Sequence, residues 1–196
     1  TYKLDTIFKK ENICVRNIWK YEDYLFFGTY GSGFYIYKDG VLKSLPLDKN
    51  KYLLYTHCIM PDDEGFCWIS TNRGLFKTSL AELLNYFDNK TTFVYYHYFG
   101  KEDGMDMTEL NGGCTPCALR LKNNILSFPT MDGLLWVNPE KAIPILPAGE
   151  IYIDQIQVDS TILNADSVTN LQLPSQTKEI IVSLGYSAWS NKENIY

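Results

Sequence analysis

The sequence predicts an all-β fold, on three observations. The chain carries 15 Tyr, 10 Phe and 4 Trp among 196 residues, and aromatic residues favour strands. Its apolar residues fall in short runs bounded by turns rich in Gly, Asp and Asn. It also repeats itself, and a repeat of this length is the mark of a stacked or radial architecture.

Three segments align. The first is Tyr24-Leu25-Phe26-Phe27-Gly28-Thr29, a turn Tyr30-Gly31-Ser32-Gly33, then Phe34-Tyr35-Ile36-Tyr37. The second is Phe66-Cys67-Trp68-Ile69-Ser70-Thr71, a turn Asn72-Arg73-Gly74, then Leu75-Phe76-Lys77. The third is Ile125-Leu126-Ser127-Phe128-Pro129-Thr130, a turn Met131-Asp132-Gly133, then Leu134-Leu135-Trp136-Val137. Each is a strand ending in Thr, a tight turn with Gly, and a second strand. Gly suits the turn because hairpin connections need positive φ.

Another strand precedes each segment, at 14–19, 57–60 and 117–121, and a fourth follows the first two, at 41–45 and 93–99. The unit is therefore a four-stranded meander. Thr29 and Thr71 lie 42 residues apart, the spacing of four-stranded propeller blades. Thr71 and Thr130 are 59 apart. A short helix over 79–87, with Ser79 and Glu82 spaced as a capping box, and a long loop over 100–113 account for the excess.

The expected architecture is a partial β-propeller of about three blades followed by a truncated immunoglobulin-like β-sandwich. Residues 1–11 read as the end of a preceding blade, 12–48 and 50–99 as two blades, and 100–147 as the last. After Pro144 and Pro147 come two alternating segments, 151–158 and 179–184, so 148–196 reads as the start of the sandwich domain. Propellers close with about 4–8 blades, so this chain is expected to belong to something larger or to associate with copies of itself.

Several function classes are disfavoured. The net charge is −5 and the pI about 5.0, which builds no surface for phosphate neutralisation, so no nucleic-acid partner is expected. No apolar run is long enough to span a membrane. The five cysteines, Cys14, Cys58, Cys67, Cys114 and Cys117, are odd in number and irregularly spaced. They read as buried small apolar side chains rather than a disulfide framework. Cys114-Thr115-Pro116-Cys117 lacks the helix N-terminus that would activate a redox thiol. Only His57 and His97 could complete a zinc site, and both lie in apolar strand patterns.

Asp62-Asp63-Glu64 and the looser set Asp103, Asp106, Glu109 fit no alternating calcium loop. An Asp that opens a turn bonds its own backbone, which explains Asp62. Trp19, Trp68, Trp136 and Trp189 read as packing residues. No catalytic residues, metal or cofactor are expected, and this chain is not expected to be an enzyme.

Asp62-x-x-Gly65-x-x-Trp68-Ile69-Ser70-Thr71-x-x-Gly74-Leu75 resembles the two-component-regulator propeller repeat. Glu102-Asp103-Gly104-Met105 with Glu109-Leu110-Asn111 resembles that family's loop into its last blade, and Asp132-Gly133-Leu134 with Asn138-Pro139 resembles the end of it. The tail, from Leu173-Pro174 through Ile180-Ile181-Val182 and Tyr186-Ser187 to Asn194-Ile195-Tyr196, resembles the opening of a triple-tyrosine domain. Phe26-Phe27-Gly28-Thr29 and Ser127-Phe128-Pro129-Thr130 depart from the family's Trp-Ile-Gly-Thr.

The resemblance implies the periplasmic sensor region of a hybrid two-component system sensor histidine kinase/response regulator. Such a protein is membrane-anchored and detects glycan breakdown products, and its kinase lies outside this chain. The expected partners are an oligosaccharide or other small ligand and a second copy of the chain. A propeller enzyme acting on glycans, a hydrolase or lyase, and a non-catalytic scaffold are the alternatives. Equivalent turns of a repeat emerge on one face, and loops on rigid scaffolds carry function. The candidate ligand-binding residues are therefore Tyr30, Ser32, Asn72, Arg73, Met131 and Asp132.

Overall fold

The structure, a computed structural model, describes residues 6, 11, 13–146, 148–164, 170–188 and 192–194. Most of the expected blade remnant at 1–11 lies outside them, as do Trp189, Ile195 and Tyr196. The fold is mostly β: the described residues form four small antiparallel sheets and one short α-helix. The chain divides into two compact units, 1–144 and 145–195.

The first meander runs β1 (Val15–Tyr21), β2 (Tyr24–Thr29), β3 (Phe34–Lys38) and β4 (Val41–Ser44), paired in that order. Between β3 and β4 the turn residues Asp39 and Gly40 both take positive φ, +49° and +84°. That is the twist a two-residue hairpin needs.

The second meander is β5 (Thr56–Pro61), β6 (Phe66–Thr71), β7 (Gly74–Ser79) and β8 (His97–Phe99). Its signature motif has a direct physical cause. Asp62 Oδ1 accepts the backbone N–H groups of Glu64 and Phe66 at 3.0 and 2.8 Å, while Oδ2 accepts the Trp68 indole N–H at 2.8 Å. One buried carboxylate thus closes the β5–β6 turn and fixes a fully buried tryptophan.

The third meander has three strands, not four: β9 (Leu119–Arg120), β10 (Leu126–Thr130) and β11 (Gly133–Val137), in the order β11-β10-β9. The strand expected over 117–121 shrinks to two residues because Cys117 and Ala118 are drawn into the core instead.

The helix α1 (Leu80–Phe87) forms where expected, without the capping box. Ser79 still pairs with Phe66 as the last residue of β7, and Leu80 N–H donates to Gly65 O at 3.0 Å. At the other end Lys43 Nζ donates to the helix-end carbonyls of Tyr86 and Phe87, at 2.5 and 3.4 Å, and to Asn89 Oδ1 at 2.7 Å.

Two cores lie between neighbouring meanders. Phe26, Phe34 and Ile36 meet Ile59, Ile69, Phe76 and Leu83 in one. Trp68, Leu75 and Phe99 meet Leu110, Leu126 and Phe128 in the other. Each such side chain stabilises the fold by about 2 kcal/mol. Trp19 packs at the margin of the first core, as expected, but Trp136 does not pack: it is 66% exposed on β11.

The cysteines are not all buried free thiols as expected. Cys58 on β5 and Cys117 before β9 form a disulfide, with Cα atoms 5.8 Å apart. Cys67 is the buried free thiol, whereas Cys14 and Cys114 are exposed.

In the second unit, β12 (Ile151–Val158), β13 (Thr161–Asn164) and β14 (Ile180–Tyr186) pair antiparallel in the order β13-β12-β14. Asp159 closes this sheet, its Oδ1 accepting Lys178 N–H and Glu179 N–H, both at 3.0 Å. The strands fall where alternation placed them, yet Ile151, Ile153, Ile180, Val182 and Leu184 are exposed rather than half-buried.

Candidate functional site

The threonine that ends each repeat strand is a turn clamp. Thr29 Oγ1 donates to Gly33 O at 2.5 Å and Thr71 Oγ1 to Gly74 O at 2.9 Å. Thr71 and Thr130 also accept a backbone N–H two residues on, from Arg73 and Asp132. Hydroxyl groups at turn starts do this by nature, so the turns after Thr29 and Thr71 close on their own clamps.

These turns come together at one end of the meanders. Tyr30 N–H donates to Cys14 O, Tyr30 bridges to Tyr55, and Gly31 and Gly33 N–H both donate to Leu54 O. The segment Glu109–Asn111 laces the second turn to the third: Leu110 N–H donates to Thr71 O, Asn111 N–H to Pro129 O, and Met131 N–H to Glu109 O.

Two side chains reach this end through matching irregularities. Val15 pairs with Thr29 and Asn17 with Gly28, which leaves Arg16 as the extra residue of a bulge. Thr56 pairs with Thr71 and Cys58 with Ser70, which leaves His57 in the same place one meander on. A bulge re-aims a side chain that regular alternation would send elsewhere. The Arg16 guanidinium carbon sits 5.0 Å from the centre of the Tyr30 ring. His57 Nε2 lies 2.5 Å from Asn72 Oδ1.

Tyr30 packs edge-on against Tyr55, with ring centres 4.9 Å apart, and 6.0 Å from the His57 ring. The outcome is an exposed tyrosine pair beside a guanidinium and a histidine that is 5% exposed. Burial pushes the His57 pKa down, the Asn72 contact opposes this, Arg16 adds to it, and Glu109 opposes it. With Nε2–H given to Asn72 Oδ1, neutral His57 keeps its lone pair on Nδ1. That atom and Arg16 Nε are buried without a hydrogen-bond partner among the described residues.

Of the six residues read from the sequence, Tyr30 and Asn72 join this cluster through their side chains. Ser32, Arg73, Met131 and Asp132 stay in their turns, outside the contacts that define it. Arg16, Tyr55, His57, Glu109 and the glycines at 112–113 were not among the candidates. The spacing of 41 residues between Arg16 and His57 was the available signal, but a bulge leaves no mark in the strand pattern. Chemically the cluster offers an aromatic platform, a cation and a neutral histidine, a set suited to binding. Among the described residues, no group of three His, Cys, Asp or Glu side chains is placed to hold a metal ion.

No family model and no curated protein matches the chain. Among solved structures, it is similar to the extracellular domain of BT3049 from B. thetaiotaomicron, a protein assigned to the hybrid two component systems. The identity is 17% and the TM-score 0.49, over 86% of this chain and 20% of that one. The chain therefore spans about a fifth of that structure's length.

Proposed function

We propose that this chain is part of an extracytoplasmic sensor of a hybrid two-component regulator. In this reading the three meanders are consecutive blades of a propeller, the second unit begins a sandwich domain, and the ligand is an oligosaccharide bound at the end of the meanders where the turns converge. The observation that carries it is the cluster of Arg16, Tyr30, Tyr55, His57 and Asn72, assembled from equivalent positions of successive repeats. The exposed rings of the edge-to-face tyrosine pair give a sugar ring an apolar surface to pack on, and the guanidinium gives its hydroxyl groups a donor.

Two further features support the reading. The Asp-x-x-Gly-x-x-Trp motif of the resembled repeat has the structural role that a recurring blade requires, since Asp62 and Trp68 act as one unit. The Cys58–Cys117 disulfide suits an oxidising compartment such as the periplasm. Binding would carry a signal by favouring one arrangement of the protein over another.

The test is a calorimetric screen of oligosaccharide fragments against the chain and its Tyr30→Ala and Arg16→Ala variants. A saturable glycan whose affinity falls at least tenfold in both variants supports the proposal. Binding that ignores both variants, or turnover of the glycan, defeats it.

A further inference from the structure

The cluster does not lie fully open. The segment from Glu109 to Cys117 crosses it, and its two glycines are pressed onto the cluster's two re-aimed side chains. A Cβ on Gly112 would collide with the His57 ring, and a Cβ on Gly113 with the Arg16 guanidinium. Gly113 has φ +92°, a conformation a side chain disfavours on its own account. The buried, unpartnered His57 Nδ1 and Arg16 Nε therefore belong to the surface that this segment packs against.

One end of the segment is held by backbone bonds to Thr71 and Pro129. The other is held covalently, through Cys117, to Cys58. Cys58 is the residue after His57 on β5, so the bond ties the segment down beside the histidine it covers. Asn17 fastens the same point, its Nδ2 donating to Cys117 Sγ at 3.2 Å while its Oδ1 accepts Ile59 N–H at 3.3 Å.

Cys114 sits within the segment, free and exposed. Its Sγ lies 3.9 Å from the carbonyl oxygen of Pro116, the residue before Cys117. Cys67 is no competitor, because it is buried in the first core and burial pushes its thiol well above the ordinary range.

We propose that residues 109–117 form a strap latched over Arg16 and His57 by the Cys58–Cys117 disulfide, and that Cys114 releases the latch by thiol–disulfide exchange. The Cys114 thiolate attacks Cys117 Sγ. A Cys114–Cys117 bond forms as the Cys117–Cys58 bond breaks, and the electron pair leaves on Cys58 Sγ, which takes up a proton. One disulfide replaces another, so no oxidant or reductant is consumed. The new bond lies wholly within the strap, which is then tied to β5 by non-covalent contacts alone. Lifting the strap uncovers one donor, Arg16 Nε–H, and one acceptor, His57 Nδ1. This site is the one used in the sensor reading, but the latch is read out without any glycan, so either can fail alone.

The test uses the full chain. Oxidised protein is held at pH 7 and pH 8.5 without reductant, quenched with acid, alkylated and mapped by mass spectrometry. The expected result is a Cys114–Cys117 crosslinked peptide with Cys58 alkylated, increasing at pH 8.5 and absent from Cys114→Ser. Finding Cys58–Cys117 as the sole crosslink at both pH values overturns the proposal.

The strap is read through the two histidines of the chain, His57 and His97, by imidazole NMR. In Cys58→Ser, which cannot latch, the His57 titration midpoint should rise toward that of an ordinary histidine while His97 stays put. In Cys114→Ser, which cannot exchange, the wild-type value should persist. An unchanged His57 in a folded Cys58→Ser protein sinks the strap. Should that variant not fold, the peptide map and Cys114→Ser decide alone.

Discussion

Asp62 shows how much a single residue settles. Its two carboxylate oxygens serve three donors, two of them backbone N–H groups in the β5–β6 turn and one the indole of Trp68. Asp62 is itself buried, so removing it leaves the buried Trp68 indole N–H without its acceptor and loosens two part-buried backbone N–H groups. Asp62→Ala is expected to cost about 3 kcal/mol, measured by denaturant unfolding, because unsatisfied buried groups carry their full desolvation cost. Trp68 emission should also change in the folded variant, since its ring loses its only anchor through nitrogen. A loss under about 0.5 kcal/mol would show that water replaces the carboxylate and that the motif is turn chemistry alone. The sequence made the turn role of Asp62 legible, because an Asp at i bonding i+2 is local. The Trp68 bond was hidden, because it depends on which face of β6 turns toward the turn.

Among the elements, the β7–β8 pair carries a charge the fold must manage. Lys77 on β7 is in register with His97 on β8, and both are buried. Lys77 lies over the Phe66 ring at 4.4 Å and the Trp68 ring at 5.0 Å. Burial, with Lys77 adding to it, lowers the His97 pKa to about 4. The unfolded chain binds this proton near pH 6.5 and the folded chain only near 4, so stability is complete above about pH 6.5 and declines as pH falls toward 4. The loss is about 2 kcal/mol once partial solvent screening is allowed for. His57 acts in the same direction. Melting followed from pH 7 to pH 4 should show this decline, and His97→Gln should flatten it relative to the wild type. An equal slope in that variant would assign the acid sensitivity to carboxylates instead. Alternation predicted the strands themselves well, with Phe26, Ile36, Ile69 and Phe76 all buried as the repeat required. The bulges at Arg16 and His57 escaped it, because a bulge breaks the period of two on which the reading depends. So did the need for Gly28, where a Cβ would meet Thr56 of the next meander. That contact is between repeats, and a repeat pattern describes only one at a time.

Across the molecule, the Cys58–Cys117 bond is the one covalent tie between meanders among the described residues, joining positions 59 apart. The spacing of the cysteines could not reveal it, since each belongs to a different repeat and pairing needs the repeats already stacked. Its loop is long, and in the chain-entropy view a long loop restricts the unfolded state strongly. Replacing both cysteines with alanine should therefore cost about 3 kcal/mol. The distribution of that loss is the more telling measurement. The first meander shares its core with the second through Phe26, Phe34 and Ile36, and contributes no cysteine to the disulfide, which it meets through Asn17. The third meander has two-residue β9, and its exposed β11 carries Leu134 and Trp136 into solvent. It depends on the bond, on the Trp68 and Phe128 core, and on Arg120, which pairs with Asp63 and donates to Pro61 O. Hydrogen exchange in the double variant should show protection falling in β9, β10 and β11 well before β1 to β4, because local opening follows the weakest packing. Equal loss across all three would mean that the meanders unfold as one unit, and that the latch acts on the whole unit rather than on the strap and its meander.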